Sequence, residues 1–312
     1  MNDISVKVAE MYNKYPFPLK GNYNNFFEAC LYPFIKELNT KSPIRRLLDA
    51  GCGTGNVAID LAKRFPDIDV LGIDFTDRSL EIAKKNAAKL KLKNIRFEKS
   101  DLMQHDQALG EYDFAVCSGV IHHLAEPLRG LINLNSYLHK GSYAFVWIYL
   151  LAGKKDVLEL RESLNILGIE GLSWEEKINL ASKISGVFDK KTFIKRIINV
   201  LKRIDKHGLK GFRRFLTGYF FSEKIPNDIL LADQILHPKD KFYRFSEAIE
   251  EFEKAGFKFI KILEGMPNSI KECFGNEEIT TFTKKSLSQI DIYRLIELKE
   301  KPPGVGCLIQ KT

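Results

Sequence analysis

One seven-residue stretch, Asp49-Ala50-Gly51-Cys52-Gly53-Thr54-Gly55, constrains this chain more than any other. It lies inside RRLLDAGCGTGNVAIDLA, where an apolar run that reads as a buried strand precedes it and a helical pattern follows at once. A glycine-rich turn between strand and helix admits positive φ and leaves the backbone bare, so a ligand can reach the amides that open the helix. The plainer reading, a tight turn that needs glycine for packing alone, is weighed against what surrounds the loop. The dinucleotide spacing G-x-G-x-x-G is disfavoured, because the third glycine falls at 55 and Asn56 stands where that motif has its last glycine.

Three further features extend the pattern. Short aliphatic runs at Arg46–Ala50, Asp69–Asp74 and Tyr112–Ser118, with a weaker one at Ile95–Lys99, read as buried parallel strands. Helical spacing fits Asn56–Phe65, Asp77–Lys91 and Pro127–Leu138, the last stopped by Gly141 ahead of a fifth strand, Ser142–Leu150. Five alternations predict a doubly wound α/β sheet with helices on both faces. The pattern breaks over 154–237, which reads as a helical insertion without strands, and returns as helix Ser246–Ala255, strand Gly256–Leu263, helix Leu287–Glu300 and strand Val305–Gln310. The count is seven strands, two of them after the excursion. No internal repeat or low-complexity tract is visible.

Composition bounds the setting. The five cysteines form no Cys-x-x-Cys pair, which suggests neither a metal site nor a disulfide framework and fits a reducing cytoplasm. A polar start containing Asp3 and Glu10 argues against a signal peptide, and Tyr143–Ala152 is too short to span a bilayer, so no integral membrane segment is expected. The net charge of +8 is concentrated between Phe188 and Arg214, where ten Lys or Arg face two Asp. There Phe193, Ile197, Val200, Leu201 and Ile204 make one apolar face, and Lys195, Arg196, Lys202, Arg203 and Lys206 occupy the remainder. Such a helix reads either as a solvated helix docked by its apolar side or as an element that grips phosphates or an anionic surface.

The Asp-x-Gly-x-Gly-x-Gly loop resembles the first motif of the class I S-adenosylmethionine-dependent methyltransferases, whose seven-stranded Rossmann-like sheet has an antiparallel last strand. The resemblance implies S-adenosylmethionine as cofactor, with Asp49, Gly51, Cys52, Gly53, Thr54 and Gly55 around it. It makes Asp74, at the end of the second strand, the acid that accepts both ribose hydroxyls, a task a bidentate carboxylate suits; Asp77 better fits the cap of the next helix. Phe75 would pack on the adenine, and Ser100, Asp101 and Leu102 would border it, Asp101 accepting from its amino group unless it is a solvated turn residue. The ending AVCSGVIHHL is similar to the family's fourth motif, which sets Ser118 and Gly119 beside the sulfonium. It lacks an Asn-Pro-Pro-Tyr sequence, and Cys117 does not follow a proline, which argues against the amide and base-amino subclass and against cytosine C5 chemistry.

Methyl transfer from a sulfonium is an in-line displacement, so alignment and exclusion of water dominate. His122 and His123 stand where a general base would help a hydroxyl or ammonium acceptor; the plainer reading has one cap the following helix and the other pack. Tyr12 and Tyr15, in MYNKYPFPLKGNYNN, either reach the cofactor as part of a lid or cover a sheet edge. DQILHPKDKFYRFSEAIEEFEKAGFKF and SLSQIDIYRLIELKEKPPGVGCLIQK look similar to a bacterial methyltransferase group that shares a Tyr-Pro-Phe-Pro-like N-terminus, and this implies Tyr149, Asp233, His237 and Tyr243 as pocket residues. The expected organisation is a lid at 1–40, a cofactor core at 41–153, an acceptor-recognition insertion at 154–237 and a core completion at 238–312. The expected activity is methylation of an O, N or S atom on a small or medium-sized acceptor. An RNA methyltransferase using the basic segment, or a cofactor-binding regulatory protein without turnover, stands as the alternative.

Overall fold

A computed structural model describes residues 3–18, 27–185 and 227–312. The basic segment 188–214 lies outside the described residues. The chain divides into two compact units, one made of Met1–Asn13, Tyr23–Lys155 and Pro238–Thr312, the other of Lys14–Asn22 and Asp156–His237.

In chain order the elements are α1 (Asp3–Lys14), α2 (Tyr32–Lys41), β1 (Arg46–Ala50), α3 (Asn56–Arg64), β2 (Asp69–Asp74), α4 (Asp77–Lys89), β3 (Ile95–Lys99), β4 (Tyr112–Ser118), α5 (Pro127–Ser136), β5 (Leu138–Tyr149) and α6 (Lys155–Ile166). A helix α7 runs through 174–185. Then follow α8 (Asn227–Gln234), α9 (Phe245–Lys254), β6 (Phe257–Glu264), α10 (Ile270–Phe274), α11 (Glu277–Ser286), α12 (Gln289–Glu300) and β7 (Gly304–Lys311).

The first unit is built on one sheet of order β3-β2-β1-β4-β5-β7-β6. β7 runs antiparallel to both β5 and β6, and the other pairs are parallel. This is the expected doubly wound seven-stranded sheet with its last strand reversed. Its central strands are buried along nearly their whole length, as aliphatic runs covered on both faces must be. One core packs Ile35, Leu61, Leu80 and Ala83 of α2, α3 and α4 on one face. A second packs Leu131, Leu134, Phe252 and Ile296 of α5, α9 and α12 on the other. Each fully buried side chain of this size contributes about 1.5–3 kcal/mol.

Four sequence expectations need correction. The fifth strand begins at Leu138 rather than Ser142, and Gly141 does not stop a helix. Its φ of 82° lies inside β5, where the register with β4 jumps from Tyr112↔Leu138 to Phe114↔Tyr143, so the glycine takes up the extra residues of a bulge. α4 is preceded by Thr76 at the cap position, and Asp77 is its first residue, paired with Lys99 Nζ at 2.6 Å. The last helix starts at Gln289, where Ser288 and Asp291 form a capping box, rather than at Leu287. The two short helices α10 and α11, opened by Ser269 and Asn276 side chains, lie in a stretch that carries no helical reading in the sequence.

In the second unit, Leu160 and Leu164 of α6, Ile169, and Ala181 of α7 form a small core flanked by Leu231 and Ile235.

Candidate active site

The strand order reverses between β1 and β4, and in open α/β sheets the crevice at that switch, beyond the carboxyl ends of the strands, is where ligands bind. The loop after β1 and the loop after β4 flank it. Gly51 N and Cys52 N both donate to Ile73 O, at 2.8 and 2.9 Å, which hooks the glycine loop over the end of β2. Gly51, Gly53 and Gly55 have φ of 77°, 52° and 83°, and Gly55 sits at the cap of α3, whose first turn opens beside the crevice. Gly51 is also glycine for a packing reason, since a Cβ there would overlap the Cγ2 methyl of Val120 and lie 2.9 Å from Cγ1. The packing reading and the ligand reading of this glycine thus hold together.

Three carboxylates line the loop's side of the crevice. Asp49 is 2% exposed, and burial pushes its carboxyl up to about 7, against an opposing hydrogen bond from the Ala58 amide. Asp49 Oδ2 has no hydrogen-bond partner among the described residues. Asp74 accepts from Gly53 N at 2.9 Å with one oxygen, and from Thr76 N at 2.9 Å and Thr76 Oγ1 at 2.6 Å with the other. Burial still raises it above the ordinary carboxylate range. Asp101 Oδ1 accepts from Met103 N at 2.9 Å, an Asx turn that orients the loop after β3. In that loop Ser100 N donates to Asp74 O at 3.0 Å and Leu102 O accepts from Asn133 Nδ2 at 2.8 Å. Phe75 is half-buried. Thr54 is fully buried, and Cys52, whose thiol is pushed far up by burial and by Asp74 and Asp49, packs beneath the loop. Cys52 thus presents only its backbone to the crevice.

The opposite wall comes from β4, β5 and a returning segment. Ser118 and Gly119 are half-buried, Gly119 N donates to Trp147 O at 3.2 Å, and a Cβ on Gly119 would meet nothing within 4 Å. His122 is fully buried, its ring 3.9 Å from that of Tyr149 and 4.1 Å from that of His123. Trp147 and Phe242 complete the aromatic cluster around Tyr149, and Lys154 Nζ sits 3.6 Å from the Tyr149 ring centroid. His123 Nδ1 lies 2.5 Å from Asp240 Oδ1. Tyr243 is close by in sequence but its hydroxyl is committed to Glu251 Oε2 at 2.7 Å, and Glu251 also meets Lys241. Burial and Glu251 raise the Tyr243 phenol well above its usual range.

Tyr15, Asp233 and His237 belong to the second unit. There the Tyr15 ring lies 5.8 Å from that of Trp174, and Asp233 Oδ2 accepts from Gln234 Nε2 at 2.6 Å. Val120, Lys154, Trp147 and Asp240 are site residues that the sequence did not single out. Trp147 was open to discovery, since it lies two residues before Tyr149 on the same strand and so faces the same side.

Fold and crevice define a Rossmann-like methyltransferase architecture. Residues 42–149 match a family model described as a methyltransferase domain. An uncharacterized protein of Synechococcus is 25% identical over 95% of this chain and 69% of its own. The malonyl-[acyl-carrier protein] O-methyltransferase of Halalkalibacterium halodurans is 26% identical over 72% of this chain and 76% of its own. The solved structure of PKMT2 from Rickettsia typhi superposes on 85% of this chain with a TM-score of 0.60 and 19% identity, and its complex with AdoHcy does so with 0.59 and 18%. This chain spans 48% of that protein's length, and the likeness is one of fold.

Proposed function

We propose that the crevice binds S-adenosylmethionine and that the chain transfers its methyl group to an O, N or S atom of a small or medium-sized acceptor. The observation that carries the cofactor half is Asp49, a buried carboxylate with one oxygen unpartnered beside a second buried acid, Asp74. Such a pair is costly unless a cation arrives. The cofactor's α-ammonium meets that need at Asp49, Asp74 takes the ribose hydroxyls, and Phe75 and the Ser100–Leu102 loop border the adenine. Gly119, with open space before it, leaves room for the sulfonium end. Bound there, S-adenosylmethionine supplies an electrophilic methyl group. The chain's own part is to align the acceptor and keep water out, and the aromatic wall of buried His122 and Tyr149 with half-buried Trp147 suits that task. Relatives named as O-methyltransferases support oxygen first among the three atoms. Tyr15, Asp233, His237 and Tyr243 remain in this reading as contributors to acceptor recognition.

Calorimetric titration with S-adenosylhomocysteine tests the cofactor half. The wild-type chain binds, and Asp49→Asn and Asp74→Asn bind at least about tenfold more weakly, in line with loss of a charge-assisted hydrogen bond. A wild-type chain that does not bind ends the proposal.

A further inference from the structure

We propose that His123 and Asp240 form a base dyad, with Asp240 the positioning residue that holds His123 to take a proton from the methyl acceptor. The inference rests on the methyltransferase reading above and adds to it a chemical class of acceptor, one whose attacking atom carries a proton it must lose.

The two residues are 117 positions apart and meet because the chain returns to the mouth of the sheet after the second unit. Lys241 N donates to His122 O at 2.8 Å, Tyr243 N to Tyr149 O at 3.0 Å, and Leu151 N to Tyr243 O at 2.9 Å. Leu150 and Tyr243 form a parallel bridge. The segment carrying Asp240 is thereby latched, backbone to backbone, onto the ends of β4 and β5. Asp240's side chain is completely buried, and that of His123 is 7% exposed. With the buried Asp240 carboxylate 2.5 Å from Nδ1, the proposed dyad carries its proton on Nδ1 and its basic lone pair on Nε2.

His122 is the more deeply buried of the pair. Its ring is wholly buried and packed on Tyr149 at 3.9 Å, with Trp147 at 5.8 Å, so it serves as part of the wall. His123 has a carboxylate held against it and keeps a residual opening.

The chemistry narrows the acceptor. Carboxylates and thioethers attack a methyl sulfonium without losing a proton, and a base is of no use to them. A hydroxyl or an ammonium must lose one. In such a transfer the acceptor's lone pair forms the new bond to the methyl carbon and the carbon–sulfur pair stays on sulfur, leaving a neutral thioether. The acceptor's proton passes to His123 Nε2, and the Asp240 carboxylate balances the imidazolium.

The test uses the full chain with its imidazole nitrogens isotopically labelled, saturated with S-adenosylhomocysteine at mildly alkaline pH. His123, one of six histidines, is assigned by loss of its signal in His123→Gln. The expected wild-type spectrum shows His123 protonated at Nδ1 and bare at Nε2. Asp240→Asn is expected to shift His123 toward the other tautomer, Asp240→Glu to restore the wild-type pattern, and His122→Asn to leave it in place. A wild-type His123 protonated at Nε2 overturns the dyad, as does an Asp240→Asn spectrum with an unchanged His123. Failure of wild-type S-adenosylhomocysteine binding is read separately in the titration and strikes the methyltransferase reading instead. Should Asp240→Asn not fold, the wild-type tautomer and the Asp240→Glu spectrum decide the matter.

Discussion

Gly51 and Val120 touch so closely that the glycine loop after β1 and the turn after β4 form one surface: a side chain at 51 would enter the space of the Val120 isopropyl group. The crevice is therefore held open by an interlock of its two rims. Gly51→Ala meets both the clash and a φ of 77°, which costs about 1–3 kcal/mol for the backbone alone. Thermal unfolding of this variant should begin at a lower temperature, with weaker S-adenosylhomocysteine binding. Adding Val120→Ala removes the clash but not the backbone strain, so the double variant should recover part of both losses. No recovery at all would mean that the rims do not interlock.

Asp49 ties stability to pH. Its folded pKa, raised to about 7 by burial, lies above the ordinary value of 3.8, so its contribution is fully present below pH about 4 and is lost as pH rises through about 7. Asp74, raised by the same cause, acts with the same sign. The cofactor-free chain should melt at falling temperature across this window. Cofactor binding should strengthen over the same window, because the ionised carboxylate is the form that meets an ammonium. Asp49→Asn should flatten both profiles. Melting curves at stepped pH, with and without S-adenosylhomocysteine, make the comparison, and a wild-type affinity that is flat from acid to neutral pH would count against Asp49 as the ammonium's partner.

Asn94 separates stability from ligand binding. Its amide nitrogen donates to Ala62 O, Phe65 O and Ile68 O at 3.0, 3.1 and 3.0 Å, closing the carbonyl end of α3 and the turn into β2. Asn94→Ala leaves those carbonyls without their donor and should cost about 1–3 kcal/mol in denaturant unfolding. This staple lies at the end of α3 remote from the glycine loop, so calorimetric affinity for S-adenosylhomocysteine should not change.

The strands β1 to β4 are legible in the sequence to the residue; β1, β2 and β4 are short aliphatic runs that a covered parallel sheet requires, and β3 is a more polar edge strand. The positions of the glycine loop, directly after β1, and of Asp74, at the end of β2, are legible for the same reason. What is not legible depends on register or return. Gly141 looks like a helix stop, and only the pairing of β5 with β4 makes it a bulge residue. Asp49 is visible as a loop acid, but its unpartnered oxygen follows from which amides α3 presents, and these supply one donor, Ala58. Asp240 carries no signal at all, since its meeting with His123 depends on hydrogen bonds made by Lys241 and Tyr243 a few residues on. In Tyr243 a residue proposed for the pocket has its hydroxyl turned to Glu251, a partner eight positions away that spacing alone does not select.

Tyr149 tests the wall. Its ring contacts His122 at 3.9 Å between centroids, stacks with Phe242 at 5.9 Å and carries Lys154 Nζ at 3.6 Å, so the aromatic face rather than the hydroxyl does the packing. Tyr149→Phe keeps the face and should unfold within about 1 kcal/mol of the wild type, the range of one hydrogen bond. Tyr149→Ala leaves a cavity beside His122, strips a buried ammonium of its aromatic seat, and should cost about 3–5 kcal/mol. Because the ring faces the β4 and β5 side of the crevice while Asp49 and Asp74 lie on the other, S-adenosylhomocysteine affinity of the folded Tyr149→Ala chain should stay near wild type. Denaturant unfolding and calorimetry on the two variants read these outcomes independently. Equal losses of stability in Phe and Ala would assign the role to the hydroxyl, and the aromatic wall would then need another explanation.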